Sequence, residues 1–355
     1  MNTPLVSVVI DTYNYGRYIE EAVGSVLAQD FPAEEREILV VDDGSTDDTQ
    51  ERLRQFGDSI RYLQKANGGQ ASAFNFGFEQ ARGEIIALLD ADDLWLPGKL
   101  RRVCETLEKN VDAGMVYHRV YLWRGGSELS EDTYFVPVSG RVPENRAALL
   151  RYPMVGTSCL AFRRTALEKL LPIPEALQSQ ADAYLTALII FVAPVAALPE
   201  FLGRYRIHGA NLFQTNVDGM SHSRAEHRLA MRSVLLAEIQ NWLGRYGYDL
   251  ASPELQAYLK QWTKAQELDG FILNVPSRWK YFRHLWEYPR IYGENMTARH
   301  RIYSYMKAIS ALILGYHHLH LMDDFRHRYK RLTGDRYEDS FLPEQERAVV
   351  VKDQQ

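Results

Sequence analysis

The chain has 355 residues, 46% of them hydrophobic and 25% charged, with a formal net charge of -5 at pH 7. That length can bury a substantial core and suits two domains or one with a large appendage, and the acidic balance lacks the basic footprint of a nucleic-acid binder. Two cysteines, Cys104 and Cys159, are too few for a disulfide framework and lack metal-ligand spacing, so a reducing, cytoplasmic setting is expected.

Leu5 to Ile10 is an almost continuous apolar run, broken by Asp11-Thr12-Tyr13-Asn14-Tyr15-Gly16. It reads as a first strand followed by a hydrogen-bonding loop, not as a signal peptide, because no basic n-region precedes it. Tyr18 to Leu27 repeats apolar residues at a helical period. Ile38 to Val41 is a second strand, ending in Asp42-Asp43-Gly44-Ser45-Thr46-Asp47, and a capped helix follows from Asp48 toward Phe56. Ile60 to Leu63 is a third strand. Beyond it, Asn67-Gly68-Gly69-Gln70 opens a helix whose paired glycines admit close backbone approach and whose free amides favour an anion.

Glu84-Ile85-Ile86-Ala87-Leu88-Leu89-Asp90-Ala91-Asp92-Asp93 organises the chain: a strand apolar on both faces that ends in three carboxylates. Such close acids resist ionisation unless a cation or donors offset their charge. Carboxylate oxygens suit magnesium or manganese, and the bland alternative is a turn that caps the next helix. The alternation of strands and helices to this point predicts a doubly wound α/β domain, with Asp11 to Asn14, Asp42 with Asp43, and Asp90 to Asp93 converging at the strands' carboxyl ends.

A helix over Lys99 to Lys109 and a fifth strand from Ala113 to Tyr117 follow, and Gly125 to Pro143 reads as a hairpin or loop region. Thr157 to Phe162 resumes strand character, Arg164 to Leu171 is helical, and Gln178 to Phe191 is a buried helix whose sole acid is Asp182. Pro199 to Asn211 reads as a strand placing Arg204, Arg206 and His208 on one face. Leu212 to Met220 is a candidate lid. Four helical stretches complete the chain: Ser221 to Tyr246, Glu254 to Leu273, Arg278 to Tyr288 and Thr297 to Arg331. The last holds an apolar patch edged by bases, which can dock at the inner face of a membrane or pack on its neighbours or a second subunit. No apolar run reaches the length of a membrane span. The expected division is 1–219, a helical region 220–335 and a loose tail 336–355.

Four blocks in fixed order carry a family resemblance: Val9-Ile10-Asp11-Thr12-Tyr13-Asn14, Val40-Val41-Asp42-Asp43-Gly44-Ser45-Thr46-Asp47, Asn67 to Asn75, and Leu89-Asp90-Ala91-Asp92-Asp93. Together they resemble family 2 glycosyltransferases over residues 5 to 100, continuing more weakly through Arg204 to Asn211. The resemblance implies a GT-A (Rossmann-like) fold: a mixed, mostly parallel sheet flanked by helices, here with a helical C-terminal extension. It also implies a nucleotide-diphosphate sugar donor, a divalent ion (Mn2+ or Mg2+) and inversion at the anomeric carbon. Carried over, Thr12, Tyr13 and Asp43 would hold base and ribose, with Asp43 accepting from the imino group of uracil or thymine. Asp90 would face the ribose or donor sugar, and Asp92 would ligate the metal. Asp11, Asn14, Gln70, Asn75 and Ala91 complete the donor-binding set, and Asp93 becomes a supporting or capping residue.

Two positions depart from the family's common pattern. Asp11 stands where Pro or Thr is frequent, and Phe74 precedes Asn75 where Arg is frequent. Arg204 and Arg206 then become the candidates for the phosphates, with His208 as a further metal ligand or phosphate donor. Asp182 is the expected general base, taking the proton of an acceptor hydroxyl on a saccharide or lipid-linked saccharide. A sugar nucleotidyltransferase would want a Gly-rich phosphate loop after the first strand, which Asp11-Thr12-Tyr13-Asn14 is not; a non-catalytic nucleotide-sugar binder remains the other alternative.

Overall fold

The computed structural model describes residues 4–124, 127–131, 138–140, 156–208, 211, 222–274, 276–292 and 298–314. Among these, nine strands form one sheet: β1 Val6–Thr12, β2 Arg36–Asp42, β3 Arg61–Gln64, β4 Ile85–Asp90, β5 Leu94–Trp95, β6 Met115–Arg124, β7 Ser127–Glu131, β8 Leu160–Arg163 and β9 Val195–Arg206. Their order is β3-β2-β1-β4-β8-β6-β9-β5, with β7 also paired to β6. Strands β3, β2, β1 and β4 are mutually parallel, as are β6 and β9, while β8 runs antiparallel between the two groups.

The missing alternation in β1, β2 and β4 follows from their position between two cores. Val6, Val8, Ile10, Ile38, Val40, Ala87 and Leu89 pack with Ile19, Val23 and Val26 of α1 (Gly16–Leu27) and Leu100, Val103 and Leu107 of α4 (Lys99–Lys109). Val9, Leu39, Val41, Ile86 and Leu88 face the opposite way, onto Phe74 and Phe78 of α3 (Gln70–Gln80). Both faces are therefore apolar because both are covered. Short helices α2 (Thr49–Leu53) and α5 (Arg164–Leu167) complete the wrapping.

Helix α6 (Ala181–Val192) is buried almost all round, from Ala181 to Ile190, with Asp182 the exception. A helix apolar on every side belongs inside a protein. It lies in the second core together with Leu235, Ile239 and Trp242 of α7 (His222–Arg245) and Leu255 and Tyr258 of α8 (Pro253–Leu273), so helices beyond residue 220 close the same core. The last pair, α9 (Arg278–Tyr292) and α10 (Ala298–Leu314), meets α8 around a small separate cluster of Phe271, Tyr281 and Ala311.

Several boundaries differ from expectation for local reasons. Hydrogen-bond ladders extend β1 through Asp11 to Thr12 and β4 through Asp90, placing acids inside strands and not in the loops after them. The expected fifth strand begins later and runs to Arg124 because β9 pairs with it along its whole length. β9 itself starts at Val195, and Pro199 is tolerated inside it because the pairing with β6 shifts register between Tyr117 and Arg119. It ends at Arg206, so His208 lies just beyond the strand. Part of the Gly125 to Pro143 region is β7, antiparallel to β6. The lid segment Leu212 to Met220, residues 315–331 of the last expected helix and the tail 336–355 lie outside the described residues.

Candidate active site

Parallel register brings the acids together. Asp11 of β1 is the Cα partner of Asp90 of β4, so the parallel ladder sets the two carboxyls side by side. Two carboxylates so placed disfavour each other's ionisation. Loss of solvent is the largest influence on both: it pushes Asp11 up to about 7 and, with Asp11's charge added, holds Asp90 well above the usual carboxylate range. Asp11 Oδ1 is buried without a hydrogen-bond partner.

The chain turns after β4, and one carboxylate oxygen each from Asp90, Asp92 and Asp93 lies within 4.8 Å of the others. Ala91, between the first two, is buried. Asp93 is fully engaged, for Ser158 Oγ donates to its Oδ2 (2.6 Å) and the Arg206 amide to its Oδ1 (2.8 Å). Burial and the Asp92 charge hold its carboxyl well above the ordinary range. Ser158 also accepts at Oγ from the Asp90 amide (3.1 Å), and its carbonyl accepts from buried Lys99 Nζ (2.6 Å) and Trp95 Nε1 (3.1 Å). The acidic turn thus rests on a serine that is itself anchored from below.

Asp92 presents its Oδ2 to His208 Nε2 at 2.8 Å. The imidazole sits beside the rings of Tyr18 (centroids 4.9 Å apart) and Tyr15 (6.0 Å). Arg206 fastens the same turn: Nε donates to the Asp92 carbonyl (2.7 Å), a terminal nitrogen to Glu21 (2.9 Å), and the guanidinium lies 4.6 Å from the Tyr18 ring centroid and 4.2 Å from that of Trp123. Arg206 therefore holds protein groups, where a phosphate contact was expected. Arg204 stands two residues earlier on β9, in register with Leu94 and Tyr121.

A hard divalent cation suits this donor set. Every group but one is a carboxylate oxygen, one buried oxygen lacks a partner, and the crowded acids retain protons that a cation would displace. The 2.8 Å between Asp92 and His208 is close to the ~3 Å between adjacent ligands of an octahedral ion with bonds of about 2.1 Å.

The second and third blocks build scaffold more than open site. Gly68 N and Gly69 N donate to Asp43, as do Lys65 Nζ (2.7 Å) and Asn67 Nδ2 (3.2 Å). The free amides expected at α3 are taken: Gln70 N donates to the Gln178 carbonyl and Ala71 N to that of Leu177. A Cβ at Gly69, whose φ is +85°, would stand 2.6 Å from Gln178 Cα, so the glycine admits this chain's own backbone. Gln70 Oε1 accepts from Ala181 N (3.0 Å), fastening the start of α6. Asn75 exchanges two hydrogen bonds with the Ile173 backbone (2.8 and 2.9 Å) and lines a groove of 710 Å³ with Lys65, Ser72 and Glu175, to which none of the clustered acids contributes. Asn14 adopts φ +58° and accepts from Thr46 N (2.7 Å), tying the first loop to the second. Thr12 is buried with its hydroxyl unpartnered, and Tyr13 is 46% exposed.

Asp182 is the second residue of α6. Its charge adds to the upward push on Asp11 and Asp90. Thr157 Oγ1 donates to one oxygen (3.2 Å) and Ala183 N to the other (2.8 Å), but desolvation dominates and raises the carboxyl. Sequence reasoning passed over Tyr15, Ser158, Thr157 and Tyr205. Tyr15 and Tyr205 both feel the clustered acids, although burial is the main cause raising their phenols. The hydroxyls of Thr157 and Ser158 inside an apparent strand were the available signal.

The family described as Glycosyl transferase family 2 matches residues 7–171. An uncharacterized glycosyltransferase of Nostoc sp. is 34% identical over 253 residues, covering 68% of this chain and 77% of the relative. Among solved structures, S. aureus TarS 1-349 in complex with UDP-GlcNAc superposes with a TM-score of 0.58 at 19% identity, over 87% of this chain and 92% of that one. The mannosyltransferase PcManGT from Pyrobaculum calidifontis, in complex with GDP-Man and Mn2+, gives 0.54 at 20% identity, over 95% and 89%. At these identities the structural likeness is one of fold.

Proposed function

The chain belongs to glycosyltransferase family 2, and from that premise we propose that it moves a sugar from a nucleotide-diphosphate donor to a hydroxyl of a saccharide or lipid-linked saccharide, with inversion. The observation that carries this reading is the convergence of Asp90, Asp92 and Asp93 on one point at the sheet's carboxyl edge, with Asp182 reaching the same region from α6. Ligands bind at that edge in open α/β sheets. The TarS and PcManGT complexes, with UDP-GlcNAc and with GDP-Man and Mn2+, support a nucleotide-sugar donor and a divalent ion here.

Asp92 and His208 would hold the cation, with Asp90 beside them toward the ribose or donor sugar. When bound, it offsets the negative charge that the leaving nucleoside diphosphate gains as the glycosidic bond breaks. Asp182 accepts the proton of the acceptor hydroxyl, on the face opposite the leaving group, as that oxygen bonds to the anomeric carbon. Its raised carboxyl makes it a better proton acceptor than a solvated aspartate. Arg204 is the proposed partner of the diphosphate, while Arg206 keeps the Asp92 turn in place. Uracil or thymine is the favoured base: its imino group donates to Asp43 Oδ2 in place of Asn67 Nδ2, the longest of that carboxylate's contacts, and Tyr13 is open to solvent beside it for stacking.

Release of nucleoside diphosphate from a panel of nucleotide sugars, measured with manganese and with chelator, tests the reading. Release that requires the metal supports it. No release from any sugar nucleotide, with metal present, would leave a binding subunit.

A further inference from the structure

Seven of the ten large hydrophobic side chains that stand exposed among the described residues lie on α9 and α10. Four of them, Ile302 (62% exposed), Met306 (54%), Ile309 (47%) and Ile313 (64%), fall at helical spacings of four, three and four and so form one stripe. The opposite side of α10 carries Ala308 and Ala311, both fully buried, so the helix is seated and its apolar stripe points outward. Trp279, 62% exposed, stands on α9 stacked against Phe282 (ring centroids 5.3 Å apart). Arg278 at the start of α9 donates to the Ile313 carbonyl (3.0 Å), which holds the ends of the two helices together.

Charge says what covers the stripe. Residues 278–307 contain seven Lys and Arg against two acids, Glu287 and Glu294, in a chain whose net charge is -5. A second copy laid on this face would bring two basic rims together, whereas an anionic surface complements them. No helix of the described residues is long and apolar enough to cross a membrane, so α10 would lie along a surface with its stripe in the acyl boundary and exposed Trp279 at headgroup level. We propose that the outward face of α9 and α10 docks this protein on an anionic phospholipid bilayer.

The full chain is floated with vesicles of phosphatidylcholine alone and with vesicles in which about a third of the lipid is phosphatidylglycerol. Binding to the anionic vesicles, weakened by salt, is expected, with little on the neutral ones. I309S/I313S lowers the partition coefficient by roughly tenfold or more, and R283E/R301E by at least about 25-fold, from about fivefold per base near the surface. Circular dichroism melting of each variant establishes that it is folded. No binding to anionic vesicles, or equal binding to both kinds, overturns the proposal. So does a dimer, seen in sedimentation velocity, that I309S/I313S converts to monomer while vesicles bind neither protein.

Discussion

Replacing Asp43 with Asn tests whether this carboxylate is scaffold before it is ligand. Asp43 Oδ2 lies 2.7 Å from Gly69 N and Oδ1 lies 2.7 Å from Lys65 Nζ, with Gly68 N within 3.1 Å of both. An asparagine can offer an acceptor to only one side. Whichever way it turns, its NH2 faces a donor that had an oxygen. Each lost hydrogen bond to a charged group costs about 1.5–3 kcal/mol. Lys65 keeps its bond to the Ala66 carbonyl and is partly exposed, so its share falls at the low end. A net loss of roughly 3 kcal/mol is expected, a fall in Tm of about 4 °C for a chain of this size. The assay is thermal unfolding of D43N beside the unaltered protein, with amide hydrogen exchange followed at Gly68 and Gly69. A Tm within about 2 °C and unchanged exchange at both glycines would refute the cage.

Asp11 predicts a pH effect of defined sign. Its folded carboxyl titrates near about 7 against an ordinary value of 3.8. Below pH 3.8 it is neutral folded or unfolded and costs nothing. Between there and pH 7 only the unfolded chain releases the proton, so stability falls as pH rises and levels off above. D11N removes this loss and should raise the Tm at pH 8 in chelator, by an amount equivalent to roughly 4 kcal/mol, with little change at pH 4; equal Tm differences at both values would contradict it. H208A should weaken manganese binding, by calorimetry in the presence of nucleoside diphosphate, about 10- to 100-fold, and unchanged affinity would remove His208 from the metal's surroundings.

What was legible in the sequence was whatever depends on local pattern. Apolar runs without alternation located β1, β2 and β4, and the all-round apolar character of α6 predicted its burial together with the exceptional position of Asp182. Partners brought by tertiary packing were not legible. Gly68-Gly69 promised close approach to something, and only the fold reveals that this is residue 178. Asn75 shares a helix with Gln70 but answers to Ile173, 98 residues away in sequence. Arg206 shares a strand face with Arg204 and was a candidate for the phosphates, and its ion pair with Glu21, 185 residues earlier, leaves no mark in the sequence. Pro199 concealed the first third of β9 because a register shift that tolerates proline leaves no mark in the sequence. The membership of the acid cluster was readable, whereas its support by Ser158 and Lys99 was not, since both stand within runs that read as ordinary strand and helix.

The most direct test of sugar transfer with Asp182 as base is single-turnover transfer by D182N, with donor affinity measured by calorimetry on the same protein. The amide is isosteric: its oxygen accepts from Ala183 N and its NH2 donates to the Thr157 hydroxyl, so nucleotide-sugar binding should stay within about threefold while transfer falls by about 10²- to 10⁴-fold, the contribution of a general base. The unaltered enzyme's rate should climb with pH as the raised Asp182 carboxyl ionises, and the residual rate of D182N should lack that limb. Turnover by D182N within about tenfold of the unaltered enzyme, following the same pH profile, would contradict the assignment.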